Sequence, residues 1–209
     1  MRRPRTVAAL ETLGRVRLSE SFFMRDFLYS EIANIYGLSN IPDEPDLAIA
    51  AGRALCENLL EPLQARFGRI SIRSAYRSPE VNRLGNEKGH NCALNEKNFA
   101  GHIWDRRDAE GRMGATATIV VNSFVGYYEA TGDWQAMAWW VHDHLDYAHM
   151  EFFPKLAAFN LQWHQQPQRA IYSFIAPHKG WLTKPGMANH GGDHASSYAA
   201  WLAEAPAVQ

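Results

Sequence analysis

The chain has 209 residues, 46% of them hydrophobic, and a net charge of −1 at neutral pH. That length and apolar content suit one domain with a sizeable core, residues 1–209, and exclude a disordered chain. The balanced charge argues against a general nucleic-acid binder or an anionic-membrane partner.

Residues 1–18 are expected to form an N-terminal arm. Their only apolar run, Val7–Leu10, is too short for a signal-peptide core, and no later stretch reaches transmembrane length. The cytoplasm is therefore the expected location, and Cys56 and Cys92 fit a reducing compartment better than a disulfide framework.

In "LSESFFMRDFLYSEIANIYG" the spacing of Phe23, Phe27 and Ile32 predicts helix, broken at Gly37 and by the Pro-containing stretch after it. The clearest helix follows. Leu47, Ala51, Leu55, Leu59 and Leu63 recur every four residues, Asp46 is placed to cap the start, Pro62 to kink it, and Gly68 to stop it. "RISIRS" alternates Ile70 and Ile72 with polar neighbours, as a half-buried strand does. A polar loop that opens with a short helical turn runs on to Asn98. "ATATIVV" reads as a buried strand, "DWQAMAWWVHDHL" as a helix capped by Asp133, and "DYAHMEFF" as an alternating strand. "KLAAFNLQWHQ" and "RAIYSFIAP" are two further apolar segments, the second a strand. The tail, 178–209, is expected to be loop-rich and to wrap the surface. Helices followed by strands predict an α+β fold, with a small, mostly antiparallel sheet and the N-terminal helices packed on one face.

Two features point to chemistry. All nine histidines lie after residue 89, and "NFAGHIWDRRDAEGRMG" gathers His102, Asp105 and Asp108 in a Gly-flanked loop that feeds a strand. Two His and one carboxylate are the minimum for a catalytic zinc with an open water position, and the same set suits non-haem iron. His102, Asp105 or Asp108, and His164 fill those roles. Glu151 is placed to accept a proton from water, and Arg77 to pair a substrate carboxylate. Glu151 reads equally as the outward residue of an alternating strand, between Met150 and Phe152. "NHGGDH", with His190, Asp193 and His194, resembles a small metal loop, whereas His142 and His144, two apart on a helix, do not face one another.

The stretch Leu59–Gly68, with Ser74, Tyr76, Arg77, Ser78 and Asn82 after it, resembles the M15 zinc D-Ala-D-Ala carboxypeptidases and their phage-endolysin relatives, which share a fold with the Hedgehog signalling domain. The resemblance covers about residues 20 to 175. It implies a metal-dependent, peptidase-like hydrolase acting on a cell-wall peptide or a related small amide, with one divalent ion, zinc before iron. It gives Arg77 the substrate contact, His102 the first metal position and Glu151 the general base, with His164 completing the centre. Asp146 and His149 are a second registration of the last motif. Thr118 stands where the family has a ligand Asp, and a longer gap separates His102 from Gly114, which leaves Asp105 or Asp108 as the substitute. A reworked ligand set also admits different chemistry on an amino-acid-derived substrate, or a binding module without catalysis.

Overall fold

The computed structural model of the protein describes residues 1–204. The helix read over 46–68 is one continuous rod in three parts: α3 (Pro45–Leu55), a π-helical turn (Cys56–Leu60) and α4 (Glu61–Phe67). Pro62 has no N–H to return to the preceding turn, and the π turn absorbs the defect without ending the rod. Asp46 lies in the first turn but does not cap it; Glu44 is the N-cap residue and uses no side-chain bond. Upstream, the expected single helix is divided. A short 3₁₀ turn (Met24–Phe27) precedes α2 (Glu31–Tyr36), because Ser30 takes the N-cap of α2 and accepts from the Ala33 amide. The expected arm contains α1 (Val7–Gly14), whose Leu13 is buried.

Six strands form one sheet: β1 (Ile70–Ser74), β2 (Gly114–Val121), β3 (His149–Phe152), β4 (Phe159–His164), β5 (Ala170–Ser173) and β6 (Gly180–Thr183). Their order is β1-β2-β4-β3-β5-β6, and every pairing is antiparallel except β3 with β5. The α+β class and the mostly antiparallel sheet are as expected. Helices α5 (Pro79–Glu87) and α6 (Asn95–Asn98) follow β1, and α7 (Val125–Thr131) and α8 (Gln135–His144) follow β2. Asp133 caps α8 as its spacing suggested, accepting from the Gln135 and Ala136 amides.

One face of the sheet is covered. Ala115, Ala117 and Ile119 of β2, Met150 and Phe152 of β3, and Phe159 and Leu161 of β4 all point into a single apolar cluster. The α3 helix lies against β2 and β4, and Trp134, just before α8, packs on Phe152 with ring centroids 5.0 Å apart. The tail departs from the expected surface loop. Besides β6 it forms α9 (Ala195–Glu204), whose Trp201 is 1% exposed and stacks on Phe67 at 4.5 Å. Two large aromatic rings in register contribute more apolar area than any loop would, so the tail closes the core. Residues 205–209 of the expected tail lie outside the described residues. No described helix is long and apolar enough to cross a membrane.

The other face carries polar residues in register. Ser74 pairs with Thr118, Thr118 with Asn160, Asn160 with Glu151, and Glu151 with Tyr172, so one row crosses five strands. Strand alternation makes this inevitable: if Met150, Phe152 and Leu161 face the core, Glu151 and Asn160 face away from it.

Candidate functional site

The loop between α6 and β2 is anchored before it is functional. Trp104 is fully buried, packs on Phe27 at 5.3 Å, and donates its indole N–H to the Thr116 carbonyl at 3.1 Å. The Ala100 carbonyl accepts from the Gln162 amide at 3.0 Å, and its amide donates to the Arg106 carbonyl at 2.9 Å. Gly114 is required here, since a Cβ would stand 2.3 Å from the Ala100 oxygen. A buried chain of amides then sets the height of His102. Asn82 donates to the Ala93 carbonyl and the Asn95 side chain, accepts from Asn98 at 2.7 Å, and Asn98 accepts the His102 backbone N–H at 3.0 Å. The Asn82 of the sequence motif is therefore structural.

His102 is 6% exposed and donates Nδ1–H to the Ala75 carbonyl at 2.7 Å. Burial and then the Arg77 cation lower its pKa to about 3, outweighing the hydrogen bonds to Ala75 and Asn160. The ring is neutral, with Nε2 as the unprotonated nitrogen. The His102 carbonyl accepts the Arg77 amide at 2.8 Å, so the loop and the Arg77 segment are locked together.

Arg77, His102, Thr118, Glu151 and Asn160 line one cavity of about 610 Å³. Thr118 donates its hydroxyl to Asn160 Oδ1 at 2.6 Å, and Asn160 Nδ2 donates to Glu151 Oε2 at 2.8 Å. Both hydrogen-bond directions run toward the Glu151 carboxylate, which fixes its orientation. Arg77 has only weak neutral partners, Cys92 Sγ and Ser74 Oγ, each at 3.3 Å. Among the described residues no carboxylate lies within ion-pair distance of it, and burial lowers its pKa from the usual guanidinium value. Phe153 and Phe174 form an apolar wall, with parallel rings 5.5 Å apart.

The expected metal ligands do not come together. Asp105 is fully buried away from the cavity, where its Oδ2 accepts from the Asp43 amide at 2.7 Å and the Glu44 amide at 3.4 Å, with Arg106 at 3.3 Å. It supplies an anion to the N-terminus of α3, a capping task. Burial raises its carboxyl pKa, against the pull of those donors. His164 also lies outside the cavity. Its Nε2 is 3.1 Å from Asp108 Oδ2, and Asp108 accepts the Glu110 and Arg112 amides within its own turn. Hence neither Asp105 nor Asp108 substitutes for the missing strand Asp. Beside His102 the sheet offers Thr118 and Asn160, neutral oxygen groups that are already bonded to each other. Among the described residues no group of three His, Cys, Asp or Glu side chains is placed to hold a metal ion. These donors do not fit the three-ligand centre of a zinc hydrolase.

Of the five expected residues, then, the cavity assembles Arg77, His102 and Glu151. In the second registration, His149 shares the outward face of β3 with Glu151; its pKa is lowered by burial, with Glu151 acting in the opposite sense. Asp146 is exposed and pairs with Arg169 at 3.0 Å. Asn160, Phe153 and Phe174 were not singled out from the sequence. Alternation in "FNLQ", with Phe159 and Leu161 inward, is the signal that would have placed Asn160 on the outer face. In comparisons with known proteins, no family model, curated protein or solved structure matches the chain.

Proposed function

We propose that the cavity recognises the free carboxylate of a small peptide or amino-acid-derived ligand, on a scaffold that resembles the D-Ala-D-Ala carboxypeptidases. The observation that carries this reading is Arg77. A half-buried guanidinium with five donors and, among the described residues, no carboxylate within ion-pair distance, the charge of Glu31 acting on it from further off, supports an anion supplied by the ligand. Its planar fork suits a carboxylate bidentately. Titration with N-acetylated alanine dipeptides, followed by calorimetry, tests it. The free acid binds and its C-terminal amide binds more weakly. Arg77→Lys, which keeps charge but loses the fork, weakens acid binding by about 1–3 kcal/mol. Equal affinity for acid and amide rejects the reading.

A second reading is amide hydrolysis at the same cavity, favoured by Glu151, which lines the space that Arg77 also lines and spends only one of its two oxygens on Asn160. A ligand held by Arg77 would lie beside a carboxylate able to accept a proton from water. Turnover that falls roughly 10²-fold in Glu151→Gln, with affinity retained, would support it. No step is assigned to a metal, because the donors at hand do not form a centre.

A further inference from the structure

The tail histidines gather on α8, far from any role as metal ligands. His190 and His194 pack edge-on against the ring of His142, with centroids 5.3 and 5.4 Å from it. His142 is 2% exposed, and its two nitrogens have opposite roles. Nε2 donates to the His190 carbonyl at 2.9 Å, which leaves Nδ1 to accept the Tyr147 hydroxyl at 2.6 Å. Only the neutral ring satisfies both. A second proton, on Nδ1, would turn the fully buried Tyr147 hydroxyl away from its one acceptor among the described residues.

The surroundings oppose that proton further. Both nitrogens of His194 face oxygen acceptors, Asp143 Oδ1 at 2.6 Å and the Asn189 carbonyl at 3.0 Å, which is the bonding of a charged imidazolium. His190 donates to the Arg169 carbonyl at 3.2 Å, and the Arg169 guanidinium bonds the His142 carbonyl. The carboxylates nearby are already matched. Asp143 also accepts the His194 amide and the Tyr198 hydroxyl, Asp193 accepts the Ala195 amide at 2.7 Å, and Asp146 pairs with Arg169 at 3.0 Å. His144 stacks on Trp140 and bonds its carbonyl. Burial lowers the pKa of His142, and the charges of Arg169, His190 and His194 act in the same sense, against the hydrogen bond to the His190 carbonyl.

We propose that this cluster is an acid-operated clasp on the C-terminal helix: protonation of His142 releases residues 189–204 from α8. The segment that leaves is the one the cluster fastens. His190 is held by its carbonyl, and His194 and Tyr198 by Asp143 and by the Trp139 ring, 4.0 Å from that of His194. Release withdraws Trp201 from Phe67 and Phe124 and opens an apolar face of the core. The sign follows from linkage. With the tail undocked, His142 meets water and titrates near its ordinary 6.5. Below that value the open form takes up a proton that the closed form refuses, so acid favours release by up to about tenfold per pH unit. The clasp is independent of the cavity beside Arg77.

Hydrogen exchange of the full chain tests it, read by mass spectrometry at about pH 7.5 and pH 5 and corrected for intrinsic rates. On acidification, protection of the α9 amides is expected to fall by about tenfold or more, to below that of β2. His142→Gln, which does not titrate but can still donate toward the His190 carbonyl, is expected to abolish the fall. If α9 exchanges no faster than β2 at pH 5, the tail leaves only when the whole protein unfolds, and the clasp is overturned. It is equally overturned if α9 protection is the same at both pH values, or if folded His142→Gln protein keeps the fall. Should that variant fail to fold, the wild-type comparison of α9 with β2 decides.

Discussion

Acid should expose the cost of keeping His102 neutral. Its imidazole is almost wholly buried and its pKa is lowered to about 3 by burial and by Arg77. In the unfolded chain the same group titrates near 6.5. Below that value the unfolded state takes up a proton that the folded state refuses, so stability present above about pH 6.5 drains away as the pH falls. From 6.5 down to about pH 5, at about 1.36 kcal/mol per pH unit, this amounts to roughly 2 kcal/mol. For a chain of this length that corresponds to about 4–8 °C in melting temperature. Burial also lowers the pKa of His142 and His149, so the wild type alone would show their sum. The difference between wild type and His102→Asn isolates one group, because an Asn amide can still donate toward the Ala75 carbonyl. Urea unfolding, followed by tryptophan fluorescence at about pH 7.5 and pH 5, measures it. His102→Asn is expected to be the less stable protein at the higher pH and to lose about 2 kcal/mol less on acidification. If the two proteins lose stability in parallel, the ring is charged or solvated in the folded state, and the account of the cavity is wrong.

Two substitutions outside the cavity test its supports. Asp105→Ala removes the anion from the amides of Asp43 and Glu44 and is expected to cost about 2–3 kcal/mol in chemical unfolding, the range for lost hydrogen bonds to a charged group; an unchanged unfolding midpoint would disprove the capping role. Gly114→Ala drives a Cβ against the Ala100 backbone oxygen, which cannot rotate away, so a loss of about 1–3 kcal/mol or more is expected. A melting temperature equal to wild type would mean that the 98–113 loop sits higher than described.

The fold was legible because its signals are local. Leucines every four residues and the alternation around Ile70 and Met150 depend on neighbours in sequence, and they placed a rod and strands that the structure contains. The divided helix near residue 27 was not legible, because Ser30 competes for a cap within a run whose apolar spacing favours continuity. The site was legible where it depends on one strand's phase: Glu151 had to face away from Met150 and Phe152, and the outer face proved to be the cavity wall. It was not legible where it depends on how a loop folds back. Asp105 follows Trp104, and Trp104 is drawn into the core beside Phe27 and Tyr76, so Asp105 turns toward α3 and away from His102. Sequence proximity to a histidine carries no information about that turn.

The histidine excess illustrates the same limit. Nine imidazoles after residue 89 suggest one acid–base or metal centre, but the structure divides them: His190 and His194 pack on His142, with ring centroids 5.3 and 5.4 Å from it, while His102 and His164 lie elsewhere on the loop before β2 and on β4. His194 stacks on Trp139 at 4.0 Å and bonds Asp143 at 2.6 Å; Asp143 also accepts the Tyr198 hydroxyl at 3.1 Å, which ties α9 to α8. His142 takes the Tyr147 hydroxyl at 2.6 Å on one nitrogen and the His190 carbonyl at 2.9 Å on the other. His144 stacks on Trp140, and His164 meets Asp108. Each task uses a flat ring with a polar atom on either side, a shape that no other side chain combines with so small a volume. A count of imidazoles reports demand for that shape. Whether two of them share a site depends on which strand face and which loop hold them, and in this chain His102 and His90 line the cavity with Arg77 and Glu151, while His149 shares the outward face of β3 with Glu151.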